Sequence, residues 1–272
     1  MILALLLAGG LAAAEPVAEV GFVFFGDGGT GRPAQARVAQ AVGAFYASAR
    51  CDFLVLLGDN VMPDGVSGVD DPQWRTKVED PYGPLGLPIR PVLGNHDHRG
   101  DPEAEIAYSE RSGLWDMPAA YYTFTVGPVA FFALDTDVMD AAQRRWLAEG
   151  LRRATAPWIV VYGHHPLRSG GAHGPARGAM RRVRCLVERR ADFYLGGHDH
   201  GQEVIRGRAT QVVMGSGGSP PRAIEPGPDT LYAASRWGFG HLQLDADRAV
   251  LTVVGDDGEV GFAMELLRDR RP

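Results

Sequence analysis

The sequence predicts an α/β (α+β) fold, a four-layer αββα sandwich of two mixed β-sheets flanked by helices. Three observations carry that expectation. Short β-rich runs alternate with segments of helical period as far as His200. From Gln202 onward the pattern changes to strands alone. No internal repeat or linker cuts the chain, so the two patterns belong to one domain, expected over 18–272, in which two sheets pack face to face with helices outside.

The elements follow in order. The run VGFVFFGDGG gives a strand to Phe25 and then a loop, and Pro33 to Arg50 shows helical spacing through Val38, Val42 and Phe45. FLVLLGDN and IRPVLGNHD repeat the strand-then-loop arrangement, with a short helix near Trp74 between them. Glu103 to Ser112 reads as a helix, and YYTFTVGPVAFFALDT as two strands joined at Gly127 and Pro128. Asp140 to Ala154 is a helix, WIVVYGHH a buried strand, Ala176 to Arg190 a basic helix and DFYLGGHDH another strand. Strands are expected at Glu203–Arg206, Thr210–Met214, Gly238–Leu244, Ala249–Val254 and Val260–Leu266, with a long Gly- and Pro-rich loop from Gly215 to Asp229.

Composition bounds the function. With 272 residues, 45% hydrophobic and 22% charged, the chain can bury a sizeable core. The net charge of −6, with Arg scattered along the chain, argues against a nucleic-acid partner. Residues Ile2 to Ala14 are apolar and end in small residues, so 1–15 reads as a signal peptide of an exported, periplasmic or extracellular protein. The missing basic n-region leaves a buried first element as the alternative. The stretch is too short to span a membrane comfortably, and no later segment is long enough. Two scattered cysteines, Cys51 and Cys185, make no disulfide framework and are expected to stay unpaired.

Five strand ends carry polar clusters: Asp27 in GDGG, Asp59 in GDN, Asn95 with His96 in GNHD, His164 in YGHH, and His198 with His200 in GHDH. Any one alone is explained by a polar turn. Five after five apolar runs converge on one sheet edge, because ligands of open α/β sheets lie beyond the carboxyl ends of the strands. Hard carboxylates, neutral imidazoles and an amide oxygen suit two divalent or mixed-valence metal ions, iron, zinc or manganese. Two such cations about 3.5–4 Å apart can share a water, lower its pKa and clamp the oxygens of an in-line displacement. Phosphate ester hydrolysis, among the slowest uncatalysed reactions, needs that clamp.

The order Gly-Asp, Gly-Asp-Asn, Gly-Asn-His-Asp, His and Gly-His-x-His resembles the calcineurin-like metallophosphoesterases. Within them, GDGG, GNHDH and GHHPLRSGGAHGP are most similar to the purple acid phosphatases, especially the small tartrate-resistant type, from about Phe22 to Gly218. The resemblance implies a binuclear hydrolase that cleaves small phosphorylated substrates, monoesters first, with a metal-bridging hydroxide; a phosphodiesterase or nucleotidase is the alternative. It makes Asp27 and His200 ligands of the first metal, Asp59 the bridging carboxylate, and Asn95, His164 and His198 ligands of the second. His96 would face the phosphate as acid or charge stabiliser, and His173 is the other candidate acid.

One position departs from the pattern. The family's Gly-Asp-x-x-Tyr supplies a phenolate to iron and gives the purple colour, whereas this chain has Met62 there and Gly29 where many relatives have a histidine. A thioether is a poor ligand for a hard trivalent ion, so a divalent first metal, weaker binding and no purple colour are expected. The depleted first site also motivates a reading of another class, a metal-dependent binding protein without catalysis. His98 stands equally well as a loop or a site residue, His165 as lining the cleft, and His241 as structural. Asp97 and Asp199 are expected to orient imidazoles. Arg99, Arg168 and Arg222 are equal candidates for a phosphate contact.

Overall fold

The computed structural model describes residues 18–268. The expected signal peptide, 1–15, lies outside the described residues. The alternating half comprises β1 (Glu19–Phe25), α1 (Pro33–Tyr46), β2 (Phe53–Leu56), α2 (Asp80–Tyr82), β3 (Ile89–Pro91), α3 (Pro102–Ala107), β4 (Tyr122–Val126), β5 (Val129–Leu134), α4 (Ala141–Arg153), β6 (Trp158–Gly163), α5 (Ala179–Arg190) and β7 (Phe193–Gly196). Strands follow: β8 (Gln202–Ile205), β9 (Thr210–Met214), β10 (Thr230–Ala234), β11 (Gly238–Asp245), β12 (Arg248–Gly255) and β13 (Val260–Leu267).

They form two mixed sheets, ordered β13-β12-β11-β1-β2-β3 and β10-β8-β9-β7-β6-β5-β4. Strands β1, β2 and β3 are parallel in the first, and β5, β6, β7 and β9 in the second. Every other pairing is antiparallel. The parallel strands therefore end together in each sheet. Gly26 N donates to Met214 O at 2.8 Å and Gly217 N to Gly26 O at 3.0 Å, which draws the two sets of ends onto one edge.

Period-2 alternation sorts the side chains into layers. In β5, Val129, Phe131 and Ala133 face the other sheet, while Ala130, Phe132 and Leu134 face α4 and α5. Phe22 stacks on Phe53, with centroids 5.3 Å apart, and meets Phe131 edge-on at 5.2 Å, so aromatic rings join the sheets. On the outer face of the first sheet, Phe45 of α1 packs on Phe239 and His241 of β11. The outer face of the second is covered by Leu147 and Leu151 of α4 and by Met180, Val183 and Val187 of α5. This is the expected αββα sandwich, and burial on both faces explains why the parallel strands read as unbroken apolar runs.

Boundaries differ where local geometry intervenes. The first helix stops at Tyr46, not Arg50, where Ser48 turns back onto Phe45 O through both its N–H and its hydroxyl. The last begins at Ala179, not Ala176, because Gly178 takes φ +55 and breaks the helical path. The helix expected over Glu103–Ser112 is α3 followed by a tighter turn at Tyr108–Glu110. Strand β10 was not expected: TLYAA is half-buried throughout, so it lacks the alternation that marks a strand, and it is held by pairing with β8. Cys51 is buried, Cys185 is exposed, and both are free. Among the described residues no helix is long and apolar enough to cross a membrane.

Candidate metal centre

The loops leaving the parallel strands bring together every strand-end cluster. Asp27, Asp59 and His198 have positive φ, 58°, 55° and 67°, a conformation unusual for non-glycine residues and concentrated at functional sites. The glycines beside them permit close approach. A Cβ on Gly94 would stand 2.3 Å from the backbone nitrogen of Asp59, and one on Gly29 would stand 1.9 Å from the Asn60 carbonyl oxygen. No side chain fits at Gly29 without moving the backbone.

His164 lies at the middle of the cluster, fully buried. Its Nδ1 faces Leu57 O at 2.9 Å; a carbonyl only accepts, so Nδ1 carries the proton and Nε2 points inward. That Nε2 lies 3.1 Å from Asn95 Oδ1, 3.1 Å from His198 Nδ1 and 3.4 Å from Asp59 Oδ1. Asp27 Oδ1, buried and without a hydrogen-bond partner, faces His200 Nε2 at 3.3 Å. The donor atoms of Asp27, Asp59 and His164 all lie within 4.8 Å of one another. Two ligands of one cation at about 2.0–2.2 Å stand roughly 3 Å apart, and these separations are close to that spacing. Lone pairs aimed at one another from carboxylate, amide and imidazole repel unless a positive charge lies between them. The residues present fit a metal.

Electrostatics agree with that fit. Burial pushes Asp59 up to about 6, against the pull of His164. Burial would do the same to Asp27, but the approach of the His200 imidazole and the charge of His164 hold it below its usual value. Burial lowers His164, yet Asp59 and Asp27 outweigh it and raise the imidazole to about 9. Without a cation, a proton on His164 supplies part of the charge the carboxylates require. His198 is driven down to about 2 by burial and by His164, so its nitrogen keeps a free lone pair.

Around this set, His96 N donates to Asp59 Oδ1 at 2.9 Å, and its ring Nδ1 bonds to Pro63 O, which leaves Nε2 3.8 Å from Asp59 Oδ2. The ring of His173 lies 4.1 Å from that of His198 and accepts at Nε2 from Arg222 at 2.9 Å. Of the three arginines left open by the sequence, Arg222 reaches the site, whereas Arg168 pairs with Asp229 and Glu188 and Arg99 with Asp64. Beside the centre is a cavity of about 390 Å³ whose walls include Thr136, Asp137, His165, His173, Arg177 and His198. Met62 lies half-buried, its sulfur accepting from the Ser219 hydroxyl at 3.3 Å. His241 is structural, bonded to Arg50 O at 2.8 Å.

Asp97 and Asp199 correct an expectation: neither holds an imidazole. Asp97 accepts from Gly94 N, Val61 N, Asn60 N and Asn60 Nδ2, tying the loop after β2 to the loop after β3. Asp199 Oδ1 accepts from His173 N at 2.9 Å and so holds the His173 loop by its backbone. Two contributors were missed. Asp135, at the end of β5, receives His98 Nε2 at 3.0 and 3.1 Å, and its place in ALDT repeats the signal that marked GDGG. Glu105 is fully buried and accepts from Asn60 Nδ2 at 3.1 Å; a lone acid on a short helix gave no signal.

Comparison with known proteins agrees with this geometry. The calcineurin-like phosphoesterase family profile matches residues 22–202. Human tartrate-resistant acid phosphatase type 5 is 28% identical over 278 aligned positions, covering 87% of this chain and 83% of that protein. Purple acid phosphatase 4 of Arabidopsis thaliana is 29% identical over 69% of this chain and 64% of its own length. Among solved structures, GAP50, described as the anchor in the inner membrane complex of Plasmodium, superposes with a TM-score of 0.84 at 26% identity, covering 93% of this chain and 90% of that one. The yellow lupin purple acid phosphatase PPD1 shares the fold, with a TM-score of 0.77 at 17% identity over 93% of this chain and 54% of its own. The match of the profile over most of the chain, with its motifs at the ends of the parallel strands, makes this protein a member of the calcineurin-like phosphoesterase family.

Proposed function

We propose that the protein is an exported, single-domain, acid-phosphatase-like phosphomonoesterase with a binuclear metal centre. The observation that carries this reading is the approach of His164 Nε2 to Asn95, His198 and Asp59 within 3.1–3.4 Å. Asp27, His200 and Asp59 would hold the first metal, and Asp59, Asn95, His164 and His198 the second. When bound, the metals supply charge neutralisation for the phosphoryl oxygens and a water acidic enough to attack near neutral pH.

The chain's own residues do the rest. His96 donates Nδ1–H to Pro63 O, which turns Nε2 to the centre; only the doubly protonated ring would there pass an Nε2 proton to the leaving oxygen or offset the phosphoryl charge. Arg222 takes the Nε2 lone pair of His173, so the His173 proton is on Nδ1. Buried His164 and Asp59 keep bulk water from the far side of the site.

A non-catalytic metal-binding role is the second reading, favoured by Met62 at the phenolate position and by the likeness to GAP50, named as an anchor. Phosphodiesterase or nucleotidase action remains the alternative on the same residues. Metal analysis of the purified protein and of Asp59→Ala, with p-nitrophenyl phosphate and a diester as substrates, separates these. The expected result is two metals and monoester hydrolysis in the parent, both lost in Asp59→Ala. Metal without hydrolysis favours the binding role, and unchanged metal content in the variant overturns the binuclear reading.

A further inference from the structure

The loops of the metal centre leave one end of the parallel strands; the opposite end of the sandwich holds a cavity of about 810 Å³. Segments far apart in sequence build its walls. The last turn of α5 brings Arg189 and Arg190, the turn between β8 and β9 brings Arg208, and the end of β13 brings Leu266, Leu267 and Arg268. Arg190 and Arg208 meet because they lie just before Phe193 and Thr210, which pair at the start of β7 and β9. A basic last turn complements the negative C-terminal end of a helix. Arg208 and Arg268 belong to no helix, so that effect accounts for only part of the cluster.

Among the described residues, the guanidiniums of Arg189, Arg190, Arg208 and Arg268 make no ion pair and no hydrogen bond. The two carboxylates in the walls are engaged elsewhere: Glu188 pairs with Arg184 and Arg168, and Asp192 accepts from Ile159 N at 2.8 Å. In a chain of net charge −6, this end reverses the sign locally. The same wall carries an apolar prong. Leu267 is 72% exposed, the most exposed large hydrophobic side chain among the described residues.

The chain also enters the fold at this end. Trp158, in the cavity wall, donates Nε1–H to Asp245 O at 2.6 Å, and Asp245 pairs with Glu19, the first residue of β1. Ala14, which ends the apolar stretch from Ile2, stands five positions before Glu19 and is therefore tethered within about 17 Å of it.

These observations select the partner. Guanidiniums spread around an exposed leucine call for anionic groups across a plane with an apolar layer beneath. An anionic bilayer offers both, since its headgroup phosphates match the planar fork of arginine and its acyl boundary takes up an apolar side chain. An acidic protein supplies the charge without the apolar layer, and nothing brings it to the end where the apolar stretch joins the fold.

We propose that this end of the sandwich docks on an anionic membrane surface, with Arg189, Arg190, Arg208 and Arg268 over the headgroups and Leu267 reaching between them. The metal centre, at the other ends of the strands, then faces away from the bilayer and stays open to water. Docking of this kind is independent of the chemistry at the centre.

Co-sedimentation with vesicles of phosphatidylcholine alone, and of phosphatidylcholine mixed equally with phosphatidylglycerol, tests this. The parent is compared with Arg190→Glu/Arg208→Glu, with Leu267→Asn, and with a charge-matched control at the centre's end, Arg32→Glu/Arg37→Glu, all with the same N-terminus; urea midpoints report that each is folded. The parent should bind the anionic vesicles at least about tenfold more strongly than the neutral ones, and more weakly as salt rises. Arg190→Glu/Arg208→Glu should lose at least about tenfold on the anionic vesicles, at roughly fivefold per arginine, while the control stays within about threefold of the parent. Leu267→Asn should lose about two- to fivefold. Equal binding by the parent and Arg190→Glu/Arg208→Glu overturns the docking surface, as does an equal loss in the control, which would make net charge alone responsible. Displacement of the parent from vesicles by polyglutamate at an equal concentration of anionic groups, with Leu267→Asn binding as the parent does, overturns the bilayer and makes the partner an acidic protein.

Discussion

The Nε2 atom of His164, from the loop after β6 in the second sheet, lies 3.1 Å from Oδ1 of Asn95, from the loop after β3 in the first. Both atoms present lone pairs when His164 carries its only proton on Nδ1, so this junction between the sheets repels unless a cation, or a second proton on Nε2, lies within it.

Replacing His96 with alanine should lower turnover by about 10²–10⁴ while leaving metal content unchanged, because its side chain faces the site and only its backbone N–H holds Asp59. Single-turnover kinetics alongside metal analysis checks this. Parent-like turnover would reduce His96 to a turn residue.

Met62→Tyr should restore the phenolate of the family pattern. After iron loading, the variant is expected to gain a visible charge-transfer band and to resist chelators longer than the parent, since an anionic oxygen replaces a soft neutral sulfur. The Ser219 hydroxyl that now reaches the Met62 sulfur remains available to the new oxygen. A colourless variant with iron bound would show that position 62 faces away from the first metal.

Glu105 tests the polar support beneath the centre. Burial first, and the neighbouring Asp97 second, raise its carboxyl well above the usual range, so the native residue is neutral. Glu105→Gln should therefore unfold in urea within about 1 kcal/mol of the parent. Glu105→Ala should lose about 1–3 kcal/mol, because truncation leaves a buried cavity and removes one of the three acceptors of the Asn60 amide, Val92 O and Asp97 Oδ2 being the others. Equal loss in both variants would mean that the native carboxyl is ionised.

His241 sets an acid limit remote from the centre. Burial lowers its pKa below 6.5, opposed only by its hydrogen bond to Arg50 O, so the unfolded chain takes the proton first as pH falls. Its contribution to stability is constant above about pH 6.5, declines below it, and levels off beneath the folded-state pKa. Urea midpoints at about pH 7.5 and 5 should differ less for His241→Gln than for the parent. An identical pH dependence would assign the acid limit to other groups.

The parallel strands were legible because burial on both faces leaves an unbroken apolar run, and the donor set because each run ends in an acid, amide or imidazole. Asp135 carries the same mark, but its partner His98 lies 37 positions away on another loop, a contact that only the fold makes. Glu105 and β10 were not legible, since one depends on a long-range contact with Asn60 and the other on pairing with β8. The arginines that look scattered along the chain form a groove only when α4 packs against α5.

The loop crossings at the site have a consequence for the order of folding. His198 N bonds to Asp27 Oδ2 across 171 positions of chain, and His164 to Leu57 O across 107. Contacts of such separation form after local ones, because loop closure costs entropy before any contact returns it. A nascent chain released to its midpoint carries Asp27, Asp59 and Asn95 but none of the three imidazoles that complete the set. The centre is thus among the last features to assemble, and a ligand that recognises its full donor set selects finished molecules from partly folded ones.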